Sequence, residues 1–227
     1  MNALSLSLPL ALLLCPSSAQ AADARFDQLF SAEGWEVAGE ADHDLLGRVE
    51  LSLKEVAGTR CLKGSATVAA SGTAMLAVVQ DIQGALSWSK AGLSDTRVLG
   101  QRGSQVEYLQ VLDVPDWTMA ADRYWVLRGD QATLAGGGVA FRWDRFDWRT
   151  AYPALAAELE RTLPKAVEPD PNFGAWAFVP QAQGTRLDYT LCTESGSLPY
   201  WLQKAAATKT VPDAMADVVR EAQKRGG

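Results

Sequence analysis

The chain has 227 residues, 48% of them hydrophobic, and a formal net charge of −6 at pH 7. That length suits one domain with a sizeable core, and an acidic chain without a basic run is a poor electrostatic partner for nucleic acid or anionic membrane surfaces. One histidine and three cysteines supply little for metal or nucleophile chemistry.

The opening stretch, MNALSLSLPLALLLCPSSAQAADARF, has no charged side chain before Asp23. Its apolar centre, residues 3–14, is too short to span a bilayer, and Ala19-Gln20-Ala21 supplies the small residues of a cleavage site. The pattern predicts a secretory signal over 1–21 and a single domain over 22–227, periplasmic or secreted. The customary basic residue near the start is missing. Cys15 leaves with the signal. Cys61 and Cys192 remain, either to pair in an oxidising compartment or to serve as small buried hydrophobes.

Residues 23–33 read as a short helix, with Phe26, Leu29 and Phe30 at helical spacing. Strands follow at 35–38, at 48–56, where Val49, Leu51 and Leu53 alternate with polar neighbours, and at 61–69. SGTAMLAVVQDI, 71–82, places Met75, Val78, Val79 and Ile82 on one helical face, and GALSWSKAG extends or follows it. From Thr96 the pattern is strand, turn, strand, over 96–101, 105–114, 123–130, 138–148, 174–181 and 186–194. Residues 150–172 interrupt it with a short helix and a Pro-rich loop. A last helix starts at Leu198, carries Tyr200 and Trp201 in its first turn, and is expected to bend or break near Pro212. The fold class is α+β: an antiparallel sheet with a terminal helix across its face.

Catalytic patterns are missing. His43 lies in a polar stretch, GEADHDLL, and no Gly-x-Ser-x-Gly elbow accompanies it. No His-x-x-x-His or Cys-x-x-Cys spacing supports a metal, and Asp144 and Asp147, three apart in a strand, point to opposite faces. The residues assign no catalytic side chain, metal or cofactor.

Three segments carry a resemblance: DVPDWTMAADRYWVLRGD (113–130), GAWAFVPQAQGTRLDYTLCTESGSLPYWL (174–202) and VPDAMADVVREA (211–222). Together with the element order they resemble the START (StAR-related lipid transfer) domain family from Phe26 to Arg225, most closely in the last fifty residues. Two departures are Asp122-Arg123, inverted relative to the usual order, and the longer insertion at 150–172. The resemblance implies a helix-grip fold, in which about nine curved antiparallel strands surround a hydrophobic cavity under a C-terminal lid helix. It implies binding and shuttling of a sterol-like or acyl-chain lipid, with transient membrane contact for loading. Trp201 and Leu202 would then anchor the hinge of the lid, while Met215, Val218 or Val219 would face the cavity. Tyr124, Val126 and Arg128 would point inward from one strand, with Arg128 paired to Glu107. The family's third and ninth strands are neighbours, which implies a cross-strand Cys61–Cys192 bridge. Two other readings stand beside this one. The first is a cyclase- or hydrolase-like enzyme using Glu107 and Tyr124 for proton exchange. The second is an interaction domain without a cavity.

Overall fold

The computed structural model describes residues 18–114, 120–193 and 200–226, while the side chains of 18–23 and 200–207 lie outside that description. The first helix, α1, spans Ser18–Phe30, earlier than expected, so residue 21 falls inside it; its Phe26 and Phe30 rings stack 6.3 Å apart. The chain divides after Ser31, and the rest forms one unit.

That unit is built on nine strands: β1 (Glu36–His43), β2 (Gly47–Val56), β3 (Thr59–Val68), β4 (Leu93–Arg102), β5 (Gln105–Leu112), β6 (Arg123–Thr133), β7 (Val139–Arg145), β8 (Asn172–Gln181) and β9 (Gly184–Thr193). They form one antiparallel sheet in the order β1-β2-β3-β9-β8-β7-β6-β5-β4. β1 runs on through His43 where the sequence suggested a polar loop, because a tight hairpin pairs His43 with Gly47. As an edge strand, β1 can carry Glu36, Glu40 and Asp42 at no cost to the core.

One face, here the inner one, is covered by α2 (Gly72–Gln80) and by α6 (Tyr200–Gly226). Met75, Val78 and Val79 of α2 and Val211, Met215 and Val219 of α6 bury against Val49, Ala66, Leu127, Phe141, Phe178 and Leu187. Gly64 of β3 seats the helix: a Cβ there would lie 2.4 Å from Val211 Cγ1 and 2.8 Å from Met215 Sδ. Farther along, the buried Asp217 carboxylate accepts the Lys90 N–H at 2.6 Å and Arg220 Nη1 at 2.7 Å, and Arg225 Nη2 donates to Asp81 at 2.7 Å. α6 is a single 27-residue helix through Pro212, without the expected break. The seating of Val211 and Met215 on either side of the proline holds both segments on the sheet. Among the described residues, no helix is long and apolar enough to cross a membrane.

The opposite, outer face is also covered at one end. The insertion forms α4 (Trp148–Ala151) and α5 (Pro153–Thr162) after the short α3 (Ala85–Trp88), and Trp148, Leu155 and Leu159 pack on Leu109, Val111, Tyr124 and Val126. Within the sheet, Cys61 and Cys192 face each other across the neighbouring strands β3 and β9 and are joined as a disulfide, Cα to Cα 4.1 Å, with both residues fully buried.

The bridged positions are 131 residues apart, which in the chain-entropy picture corresponds to about 5 kcal/mol of destabilisation of the unfolded chain. Replacing both cysteines with alanine should therefore lower the unfolding free energy by up to that amount, read as a lower urea midpoint at unchanged slope. Equilibrium unfolding of the oxidised protein beside the variant measures it, and coincident transitions would show that the bridge contributes nothing.

Candidate functional site

The inner face is filled unevenly. Under α2 and the C-terminal half of α6, Val68, Phe178, Leu187 and Met75 are at most 6% exposed. Toward the end of β9 that leads into α6, Leu62, Trp125, Trp176, Tyr189 and Leu191 are only partly buried although they pack on the same core. Trp176 and Tyr189, opposite each other on β8 and β9, stack with centroids 3.9 Å apart and planes 12° from parallel. Trp143 joins them from β7, 6.2 Å from Tyr189, and lies over Gly174, where a Cβ would stand 2.5 Å from its Cζ2. The result is an aromatic wall across three strands, extended by Trp125 on β6, whose indole donates to Gln110 Oε1 at 3.0 Å. Burial pushes the Tyr189 hydroxyl up to about 12 and Tyr108, its neighbour, higher still, so both remain neutral donors.

This wall was not singled out from the sequence. Its signal was available once a parity was fixed: with Cys192 on the outer face, Leu187, Tyr189 and Leu191 must point inward, and the ladders carry that choice to Trp176 and Trp143.

The residues expected to line the site divide into three groups. Glu107, Tyr124, Val126 and Arg128 do meet, but on the outer face, because β5 and β6 present Tyr108 and Leu127 to the inner core and Leu109, Val111, Tyr124 and Val126 to the core beneath α4 and α5. Both faces of these strands are apolar since the insertion covers the outer one, so alternation alone could not choose between them. The Arg128–Glu107 pair forms as expected: Glu107 Oε1 accepts Arg128 Nε at 3.0 Å and Nη2 at 2.7 Å, while Oε2 accepts the Tyr152 hydroxyl at 2.5 Å. Gly100 makes room, since a Cβ there would be 2.7 Å from the Tyr152 oxygen, and Phe146 lies under the guanidinium at 4.4 Å. Tyr124 accepts Arg149 Nη2 at 3.0 Å. These contacts dock the insertion rather than line a cavity. Met215 and Val219 do face the sheet, yet are 0% and 1% exposed in its packed part. Trp201 and Leu202 fall in the first turn of α6, with side chains outside the described residues.

Elsewhere, a groove of about 430 Å³ on the outer face is lined by Glu40, Arg48, Glu50, Ser65 and Arg186. Its arginines are paired, Arg48 with Glu40 and Arg186 with Asp188, which makes it unsuited to an apolar ligand. Among the described residues, no group of His, Cys, Asp and Glu is placed to hold a metal ion.

The sequence matches no protein-family model and no curated protein. Solved structures match the fold. Human StAR-related lipid transfer protein 5 is 12% identical, with TM-score 0.69 over 92% of this chain and 98% of that one. The STAR-related lipid transfer protein of Xanthomonas axonopodis is 18% identical, with TM-score 0.62 over 84% and 99%. The Zhui aromatase/cyclase of a Streptomyces is 16% identical, with TM-score 0.51 over 74% and 96%. The chain has the START-like, helix-grip fold.

Burial raises the Glu107 pKa, but the hydrogen bonds from Tyr152 and Arg128 and the Arg128 charge outweigh it and hold the carboxyl below its ordinary 4.5. A folded-state pKa below the unfolded one stabilises at neutral pH, and the stabilisation disappears as pH falls from about 4.5 through the lowered value. Glu107→Gln should be less stable than the parent protein at pH 7, with the gap closing on acidification. Urea midpoints measured between pH 7 and pH 3 test this, and a gap independent of pH would count against it.

Proposed function

We propose that the chain binds a hydrophobic lipid between the inner face of the sheet and the N-terminal half of α6, and shuttles it by way of transient membrane contact. The observation that carries this reading is the partly buried Trp176–Tyr189 stack, with Trp125 and Leu191 beside it, on the inner face of a START-like fold. A packed core leaves few stacked aromatics partly open, and a long-chain or polycyclic ligand would complete their burial. Each methylene withdrawn from water contributes about 0.8 kcal/mol, so an apolar wall offsets much of the cost of lifting a lipid from a bilayer. Two of the relatives in fold are named as lipid transfer proteins, which fits. Export to an oxidising compartment is the matching location, supported by the Cys61–Cys192 bridge and the apolar stretch over residues 1–21.

The test is mass spectrometry of organic extracts from protein purified from its native host, together with tryptophan emission during titration with the enriched lipid. Trp176→Ala should weaken binding roughly ten- to hundredfold while the protein still unfolds cooperatively. Trp148→Ala, in the outer core, should lower stability and leave affinity per folded molecule unchanged. Extracts without enriched lipid, and no emission change with added sterols or acyl lipids, would refute lipid binding.

A further inference from the structure

Among the described residues four buried polar side-chain atoms lack a partner; Ser65 Oγ and Trp88 Nε1 lie elsewhere in the fold, and Arg145 Nε and Thr193 Oγ1 lie at one end of the aromatic wall. Asn172 is 6% exposed at the start of β8, on the inner face. Its Oδ1 accepts the Trp143 indole N–H at 3.2 Å, which orients the amide and turns Nδ2 away from the ring. Among the described residues nothing accepts from that nitrogen. Thr193 is directly opposite on β9, and its Oγ1 is buried without a partner. Two residues beyond the last β7–β8 pair, Trp143 with Gly174, the register brings Arg145 level with Asn172; its Nε is likewise buried and unpartnered. Leaving a buried polar atom without a partner is costly, so Thr193 Oγ1 and Arg145 Nε, on either side of Asn172, call for an occupant.

We infer that Asn172 and Thr193 form the polar end of the lipid site and select a neutral lipid headed by a hydrogen-bond acceptor: a ketone or ester carbonyl, or a hydroxyl. This rests on the lipid-binding reading above. The groups on offer fix the chemistry, for the Asn172 nitrogen and Arg145 Nε only donate, and the Thr193 hydroxyl can do either. A charged head is not matched. The Arg145 guanidinium is already neutralised by Glu168, 3.2 Å away, and by Asp170, so a carboxylate or phosphate would be buried without a free counter-charge. Thr193 lies two residues past Leu191 on the same strand face, about 7 Å farther along, so one ligand can lie against the aromatics and reach both groups.

Matched probes test this. Hexadecane is compared with methyl palmitate and with palmitate, and 5α-cholestane with 5α-cholestan-3-one, each titrated into the full protein and followed by tryptophan emission and Nile red displacement. In at least one of the two shapes, the carbonyl probe should bind about tenfold more tightly than its hydrocarbon, and palmitate no more tightly than its methyl ester. Thr193→Val should erase most of that preference. Asn172→Asp keeps the acceptor for Trp143 and removes the donor, and should do the same. Equal affinity for carbonyl and hydrocarbon probes, or a preference unaffected by both substitutions, overturns the polar-end assignment and leaves lipid binding intact. Tighter binding of palmitate than of its ester also overturns it. Binding of no probe at all, in either shape, overturns both readings.

Discussion

The ladder between β3 and β9 is the constraint on which the rest depends. Every other neighbouring pair in the described sheet is consecutive in sequence and is closed by a local connection. Without β3–β9 there would be two separate meanders, β1 to β3 and β4 to β9, each with an apolar face too small to bury alone. Joining them produces a single concave surface broad enough for α2 and α6 to lie on. The disulfide sits in this ladder, at the seam where loop-closure entropy is largest. The same seam places Tyr189 and Leu191 beside Leu62 and Gly64, so the part of the inner face proposed to hold a ligand exists only once the two halves have paired.

The second determinant is the insertion between β7 and β8. It adds a separate apolar cluster on the outer face and fixes itself with charged groups, among them the Arg128–Glu107–Tyr152 set and the Glu168 carboxylate, which accepts Trp148 Nε1 and Arg149 Nη1, both at 2.7 Å. Charged side chains are affordable there because each is matched and the rim is open to water. The inner face, by contrast, is largely apolar. Separating charge to one side of the sheet and an aromatic surface to the other requires only the two-residue period of the strands.

Much of the architecture could be read from the chain, because turn residues and apolar alternation mark strand existence well. The helix–strand order and the antiparallel sheet were legible, whereas the approach of Cys61 to Cys192 came only from the START resemblance and its neighbouring third and ninth strands. The facing of β5 and β6 was not. Val106 to Leu112 and Tyr124 to Leu127 are apolar on both sides, and a pattern that buries both faces contains no parity. Glu107 and Arg128 were rightly paired and wrongly placed for that reason. Trp143, Trp176 and Tyr189 look in sequence like scattered core aromatics, and only the cross-strand register makes them a wall. Asn172 was equally hidden at the end of a Pro-rich loop, because its significance comes from a hydrogen bond to a residue 29 positions earlier.

The seating of α6 on Gly64 has a consequence in time. Met215, Ala216, Val218, Val219 and Ala222 are all within 2% of full burial, so the central core is completed by a helix that follows every strand in the chain. β9, which closes the sheet, is itself finished only at residue 193. A nascent chain can form its early hairpins, but it has nothing to close them on until β9 and α6 have been made. Until then its apolar strands stay exposed, the condition in which a chain either needs a chaperone or passes a membrane as an unfolded thread.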